Sequence, residues 1–548
     1  MSGQTTNNIS RRAFVTGVLG ALPFAGMLLP ACNTEKYGHI KGSIVGAASG
    51  RGHLLRNPQF ETPKVIIEKD VVIVGGGIAG LSAARKLKAQ GIDFTLFELD
   101  NRVGGNSVSD QNAISAYPWG AHYLPIPDHR DKELMLFLEE CKCIEGFDAN
   151  GLPTYNELYL CFDPEERLYI NGFWQEGLVP HVGVPEGEQK QIQRFFEIVA
   201  AYKTAIGTDG KDAFCIPLKH SSQDAAFTRL DALSFETYLK EQGLTSPHLH
   251  WYLDYCCRDD YGTGIRDTSA WAGIHYFASR KGKAANTTSS TVLTWPEGNA
   301  WLVKKLQDKL SGHIQTDMLV YAVCLNEQKQ VQVDGFNFTT NRTERIVCNQ
   351  VILSTPQFVS NKLLGDYPAA NERSIKTFSY APWMVANITV PSLPEEKGFP
   401  MSWDNVFYGS KSLGYVDATH QHVKLFAPQK VLTYYLPLSD GTPADERKQA
   451  FKRTHEEWVQ LICADLKKVH PGIDRYIEQI DIWLWGHGMI RPVPGFITGS
   501  ERKHAATAID GKVFFAHSDL SGISVFEEAF HRGMDAATAL SSTRKATI

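Results

Sequence analysis

Apolar and polar positions change period several times along this chain, and each change predicts an element. Lys69-Asp70-Val71-Val72-Ile73-Val74 is a short apolar run that reads as a strand, and it opens directly into Gly75-Gly76-Gly77-Ile78-Ala79-Gly80. Leu81, Ala84 and Leu87 then recur at three-residue spacing, with Arg85, Lys86 and Lys88 between and after them. That spacing predicts a helix, which stops at Gln90-Gly91. The next strand is Asp93-Phe94-Thr95-Leu96-Phe97-Glu98. Farther along, 186–205 and 233–243 read as helices, while 430–437 and 480–485 alternate aromatic and β-branched residues as strands do. Residues 33–65 carry Gly, Ser, Arg, Asn and Pro without a clear period and read as a linker.

A glycine turn alone is weak evidence of a ligand; a glycine turn between a strand and a helix, with a second strand ending in an acid, is strong. Gly75 permits the tight turn, Gly77 lets a pyrophosphate approach the backbone, and Gly80 lets the helix pack closely on the strand. The helix N-terminus, at Ile78 and Ala79, offers unpaired N–H groups to phosphate. Glu98 stands where a carboxylate accepts hydrogen bonds from adenosine ribose hydroxyls. NAD and FAD both satisfy these demands. The following stretch, Leu99-Asp100-Asn101-Arg102-Val103-Gly104-Gly105-Asn106-Ser107, decides for FAD, because here the chain resembles the flavin-containing amine oxidase superfamily. Arg102, Gly104 and Gly105 match the family's R-x-G-G turn, whose backbone amides reach the FAD phosphates, and Asn106 stands where the family often has Arg.

The resemblance recurs downstream. Leu319-Val320-Tyr321-Ala322-Val323 is similar to the family strand whose valine, here Val320, packs on adenine. Val351-Ile352-Leu353-Ser354-Thr355-Pro356 is similar to the strand by which the family leaves its FAD domain. In the C-terminal block, the resemblance gives Asp519 the ribityl–phosphate part of FAD. It also sets the helix near Val525, Phe526 and Ala529 with its N-terminus toward the flavin pyrimidine edge, although Glu528 replaces the usual glycine. Tyr117-Pro118-Trp119-Gly120-Ala121-His122-Tyr123 corresponds to the segment passing the isoalloxazine, which implies contacts from Gly120, Ala121 and His122. The implied fold is α/β: a Rossmann-type FAD-binding domain (66–135, 290–365 and 496–548) interleaved with an α+β substrate domain (136–289 and 366–495).

Composition adds limits. A single core rarely grows beyond roughly 250–300 residues, so 548 residues predict two folding units. The net charge of −5 and the lack of a long basic run argue against a nucleic-acid partner. Ten cysteines without paired CxxC spacings give no metal site. Ser10-Arg11-Arg12-Ala13-Phe14-Val15, followed by a weakly apolar stretch to Ala31, resembles a twin-arginine export signal. The glycines and prolines within it argue against a spanning helix. Leu29-Pro30-Ala31-Cys32 looks like a lipoprotein cleavage box, with Pro30 off the usual pattern; cleavage without a lipid is the alternative. Residues 1–32 are therefore expected to engage the twin-arginine translocation machinery and to place the protein in the periplasm, held at the membrane if Cys32 is lipidated.

For chemistry, His122 and the Trp483-Leu484-Trp485-Gly486-His487-Gly488-Met489 segment supply the candidates His122, Trp485 and His487. Core packing explains such clusters equally well. Many members of the family also use a lysine bridged by water to flavin N5; no equivalent is recognisable, and Lys304 and Lys305 read as helix surface. No cysteine falls within 486–496, where some members attach flavin covalently, so FAD is expected to be non-covalent. The leading expectation is oxidation of a small-molecule amine by hydride transfer to flavin N5, with an undefined electron acceptor. The alternatives are a desaturase or isomerase of a greasy substrate, and an FAD-stabilised binding protein without turnover.

Overall fold

The run Val71–Val74 becomes the buried end of strand Val65–Val74, and each of its four side chains is at most 5% exposed. Parallel neighbours on both sides account for this: Val71 pairs with Phe94 and Val72 with Val351. Strands buried on both faces read as continuous apolar runs. The computed structural model describes residues 37–394, 396–423 and 428–545. The expected twin-arginine signal and Cys32 lie outside the described residues. The chain divides into two compact units, Met1–Gly38 and His39–Ile548, and the second carries all the elements that follow.

One sheet has the order Ile314–Gln315, Phe94–Phe97, Val65–Val74, Arg342–Leu353, Val331–Asn337, Met318–Leu325, with Val513–Phe515 pairing in parallel to Arg342–Leu353. Helix Ile78–Ala89 packs on this sheet, and the C-terminal helix Phe526–Lys545 packs against that helix. Two absent side chains allow the close approach. A Cβ on Gly80 would stand 1.9 Å from the Gly75 carbonyl oxygen, and one on Gly533 would stand 2.1 Å from the Ala79 carbonyl oxygen. The other face of the sheet is closed by a second core that includes Val72, Val320, Val351 and Phe515.

An eight-stranded sheet has the order Ile44–Val45, Gln479–Ile490, Tyr380–Val390, Lys430–Pro437, Tyr415–Asp417, Asp404–Phe407, Glu166–Ile170, Phe173–Glu176. Helices Glu186–Thr204, Phe235–Glu241, Pro247–Tyr261 and Ala270–Ala278 build a further core beside it. Helix Pro247–Tyr261 starts on Ser246, whose hydroxyl accepts the Leu249 N–H, and ends on Gly262 in the left-handed region (φ +62°).

Two details differ from the pattern reading. Strand Gln479–Ile490 extends past Gly486-His487-Gly488, which bulge out between the pairs Trp383↔Trp485 and Ala381↔Met489 of its ladder with Tyr380–Val390. Glycines within a strand often mark such a bulge, and the pairing resumes at Met489 and Ile490. Within the stretch read as a linker, Ile44–Val45 pairs in parallel with Ile482–Trp483, and Arg51 makes an ion pair with Asp317 at 2.5 Å. No helix among the described residues is long and apolar enough to cross a membrane.

Candidate active site

The dinucleotide turn is built almost wholly from backbone. Gly75 sits at φ +103°, a region open to glycine, and its N–H donates to the Phe97 carbonyl at 2.8 Å. The Gly76 N–H donates to Glu98 Oε2 at 2.6 Å, and the Gly76 carbonyl accepts the Gly104 N–H at 2.9 Å. The first glycine turn is thereby tied to the end of the second strand and to the R-x-G-G turn. Gly77 starts helix Ile78–Ala89 without any side-chain cap, and a Cβ there would meet open space. An uncapped helix start facing an opening is a site for anionic oxygens.

Glu98 accepts one backbone N–H on each oxygen, from Gly76 and, at 2.9 Å, from Asp100. Each oxygen keeps a further lone pair for a hydroxyl donor. Burial raises this carboxyl above its ordinary range. Val320 is buried in strand Met318–Leu325, across from Gly335. The Arg102 guanidinium is committed to Asp110 at 2.6 Å and to the Ser109 carbonyl at 2.7 Å. Gly104 (φ +134°) and Gly105 (φ +57°) shape the turn that follows it. Asn106 is a bracket: its Nδ2 donates to the Gly488 carbonyl at 2.5 Å, and its own carbonyl accepts the Ala121 N–H at 3.0 Å. Gly120 is required beside it, since a Cβ there would stand 2.3 Å from the Asn106 carbonyl oxygen. Asp519 is 1% exposed; it accepts from the Gln357 N–H at 3.0 Å and the Tyr380 hydroxyl at 2.8 Å, and lies 2.9 Å from His517 Nδ1. Ala529 packs into the core beneath the C-terminal helix. The free helix start, the open space at Gly77 and the two-oxygen acceptor at Glu98 fit the pyrophosphate and ribose of FAD.

Beyond Asn106 the Gly120–Tyr123 segment borders a cavity of about 140 Å³. Trp383, Val385, Tyr435, Trp485 and Met489 close it from the eight-stranded sheet, and Val525 and Phe526 close it from the start of the C-terminal helix. Two of the three catalytic candidates meet there. His122 stacks on Tyr435 with ring centroids 4.6 Å apart, and burial lowers it to about 4, so it is neutral at physiological pH. Trp485 is held by a hydrogen bond from its Nε1 to the Trp119 carbonyl at 2.6 Å. His487 lies elsewhere: it is exposed and rests against Phe358, with centroids 4.4 Å apart.

The remaining wall is acidic, and sequence reasoning missed it. Asp259, Asp260 and Glu527 line the cavity together with Arg280, which is paired to Asp260 at 2.7 Å. Glu166 and Asp404 stand behind Asp259. Burial and the adjacent Glu165 push Glu166 up to about 7, and burial brings Glu527 to about 7. Asp259 is raised by burial and by Asp260, and Asp404 by burial and by Glu166. The one hint in the sequence was an Asp259-Asp260 pair set between Cys256-Cys257 and Tyr261 on one helix, where Asp260 is buried and Asp259 half-buried. No lysine is among the described residues that line the cavity.

The profile of the flavin-containing amine oxidoreductases matches residues 78–541. The chain belongs to that family. Its fold is shared with putrescine oxidase bound to putrescine, at 16% identity and TM-score 0.61, over 87% of this chain and 100% of that one. It is shared also with a CLA-producing fatty acid isomerase from P. acnes, at 16% identity and TM-score 0.58, over 86% and 98% of the two chains. Among curated relatives, an L-amino acid dehydrogenase of Synechocystis is 26% identical over 219 residues, 39% of this chain and 41% of that protein. The chain spans less than half the length of the curated relatives it matches. Family membership implies a flavin cofactor, and the glycine turn, Glu98 and the R-x-G-G turn converge on one opening that suits its dinucleotide part.

Proposed function

We propose that this oxidoreductase oxidises an amine. The observation that carries the reading is the composition of the cavity: aromatic faces on one side, and three carboxylates against a single arginine on the other. Arg280 is already held by Asp260. A substrate carboxylate entering here would meet acidic side chains and, among the described residues lining the cavity, no unpaired cation, which disfavours α-amino acids and fatty acids. A protonated amine meets both carboxylates and aromatic faces, each of which attracts cations. FAD, when bound, accepts a hydride equivalent at N5. The protein's own share is to hold the amine between His122, Tyr435 and the acidic wall, to exclude water, and to manage the ammonium proton. The absence of a cysteine in 486–496 supports non-covalent FAD, testable by release of yellow colour on acid precipitation.

The test is anaerobic mixing of the purified yellow protein with a panel of mono-, di- and polyamines. Bleaching of the flavin band by an amine supports the reading. Bleaching by none, with double-bond migration in an unsaturated fatty acid, favours the isomerase alternative; no change with either favours a binding protein. The signal-like segment around Arg11-Arg12 further supports export through the twin-arginine machinery to the periplasm, with a lipid on Cys32 as anchor. Replacing both arginines by lysine should leave the protein in the cytoplasmic fraction, and Cys32→Ser should free it from the membrane fraction.

A further inference from the structure

An amine oxidised by hydride loss must first be neutral, yet an aliphatic ammonium holds its proton at physiological pH. Among the described residues lining the cavity there is no lysine that could organise a water for that purpose. His122 is a weak acceptor, because burial has lowered it to about 4. The acidic wall holds a better one. Asp259 lines the cavity from helix Pro247–Tyr261, and its Oδ2 accepts a hydrogen bond from the Tyr123 hydroxyl at 3.2 Å. Tyr123 lines the same cavity from strand Tyr123–Pro125, directly after His122, and its ring packs edge-on against Trp403 at 5.9 Å. Asn299, 1% exposed and also lining the cavity, has an Oδ1 without a hydrogen-bond partner, an unspent acceptor suited to a ligand N–H.

We propose that Asp259, oriented by Tyr123, takes the proton from the substrate ammonium before its C–H bond is oxidised. This rests on the amine reading above. In this step an N–H bond of the ammonium breaks and an O–H bond of Asp259 forms; no electrons are transferred, and the charge pair becomes two neutral groups. A buried cavity favours that outcome, since it penalises both the carboxylate and the ammonium.

The surroundings of Asp259 set its affinity for the proton. Asp260 and Tyr255 on its own helix face it, as does Arg280. Glu166 and Asp404 approach from the eight-stranded sheet, and Asp404 is itself tied to the Tyr255 hydroxyl at 3.2 Å. Tyr435 and Tyr276 complete the shell. Burial and Asp260 raise Asp259, while Arg280 and the Tyr123 hydrogen bond oppose them. The carboxylate is therefore a stronger base than an exposed aspartate, and Tyr123 tempers it.

The experiment uses the FAD-loaded protein and its Asp259→Asn and Tyr123→Phe variants, with flavin content confirming folding. The rate of anaerobic flavin reduction by the best amine of the panel is followed against pH. Wild type is expected to lose rate on the acid side well above the ordinary carboxylate range. Asp259→Asn is expected to fall by about 100-fold or more, within the range of general acid–base catalysis, and to lose that acid limb. Tyr123→Phe is expected to keep the limb but move it to higher pH. Infrared difference spectra between acid and alkaline pH, without amine, give a second readout: among the protonated carboxyl bands of wild type, to which Glu166 and Glu527 also contribute, one that Asp259→Asn removes. If amines reduce wild type and Asp259→Asn keeps both the limb and the band, the assignment is overturned while the amine reading stands. If no amine reduces wild type, the amine reading fails and this assignment fails with it.

Discussion

The two ends of the active site are built on opposite principles. The dinucleotide end is made of missing side chains: a Cβ on Gly75 or Gly80 would meet backbone, Gly77 faces open space, and Glu98 ties the turn together by accepting the Gly76 N–H. The substrate end is made of crowded side chains, with carboxylates, tyrosines and an arginine gathered at Asp259 from strands and helices far apart in sequence. The first works by shape and backbone dipoles, and at Gly80 it leaves no room for an added atom. The second works by mutual electrostatics, so its residues can be altered one at a time with graded effects.

That contrast predicts an order of severity. Gly80→Ala should be the most damaging change, because its methyl group would collide with the Gly75 carbonyl backbone rather than with a movable side chain. The expected outcome is protein without flavin absorbance, or no soluble protein; a yellow Gly80→Ala variant would break the comparison. Next comes Asp259→Asn, with the kinetic loss given above and flavin content retained. Glu98→Gln removes the charge from an acceptor of two backbone N–H groups and of the expected ribose hydroxyls. Hydrogen bonds to charged groups contribute about 1.5–3 kcal/mol, so FAD should bind roughly 10- to 100-fold more weakly, measured by equilibrium dialysis.

The smallest effect is expected at Glu166. Burial and Glu165 raise this carboxyl to about 7, so the folded protein holds the proton more tightly than the unfolded chain. Its contribution to stability is then fully present at acid pH and is lost as pH rises toward about 7. Glu166→Gln, which does not titrate, should gain on wild type in thermal melting as pH rises from about 5 to about 8. A gap that stays constant across that range would show that Glu166 is not electrostatically strained.

The same contrast explains what the sequence could show. The dinucleotide turn was legible because its logic is local: Gly75, Gly77 and Gly80 act within one turn, and Glu98 ends the next strand. The meeting of His122 with Trp485 could be expected only through the family resemblance. The acidic wall was not legible, since Tyr123, Glu166, Asp259, Arg280, Asp404 and Glu527 each look like an ordinary polar position until the two sheets and helix Pro247–Tyr261 bring them together. His487 illustrates the opposite error. Its flanking glycines suggested room in a pocket, but a continuous strand carries it to an exposed position against Phe358.

The proposed amine preference rests on a cavity lined by Asp259, Asp260 and Glu527, whose Arg280 is already paired to Asp260. Its most direct test compares anaerobic flavin reduction by a primary amine with reduction by the α-amino acid of the same side chain, under identical conditions. The acidic wall predicts bleaching by the amine at least about tenfold faster, the equivalent of about 1.4 kcal/mol of discrimination. Equal or faster bleaching by the amino acid would contradict it.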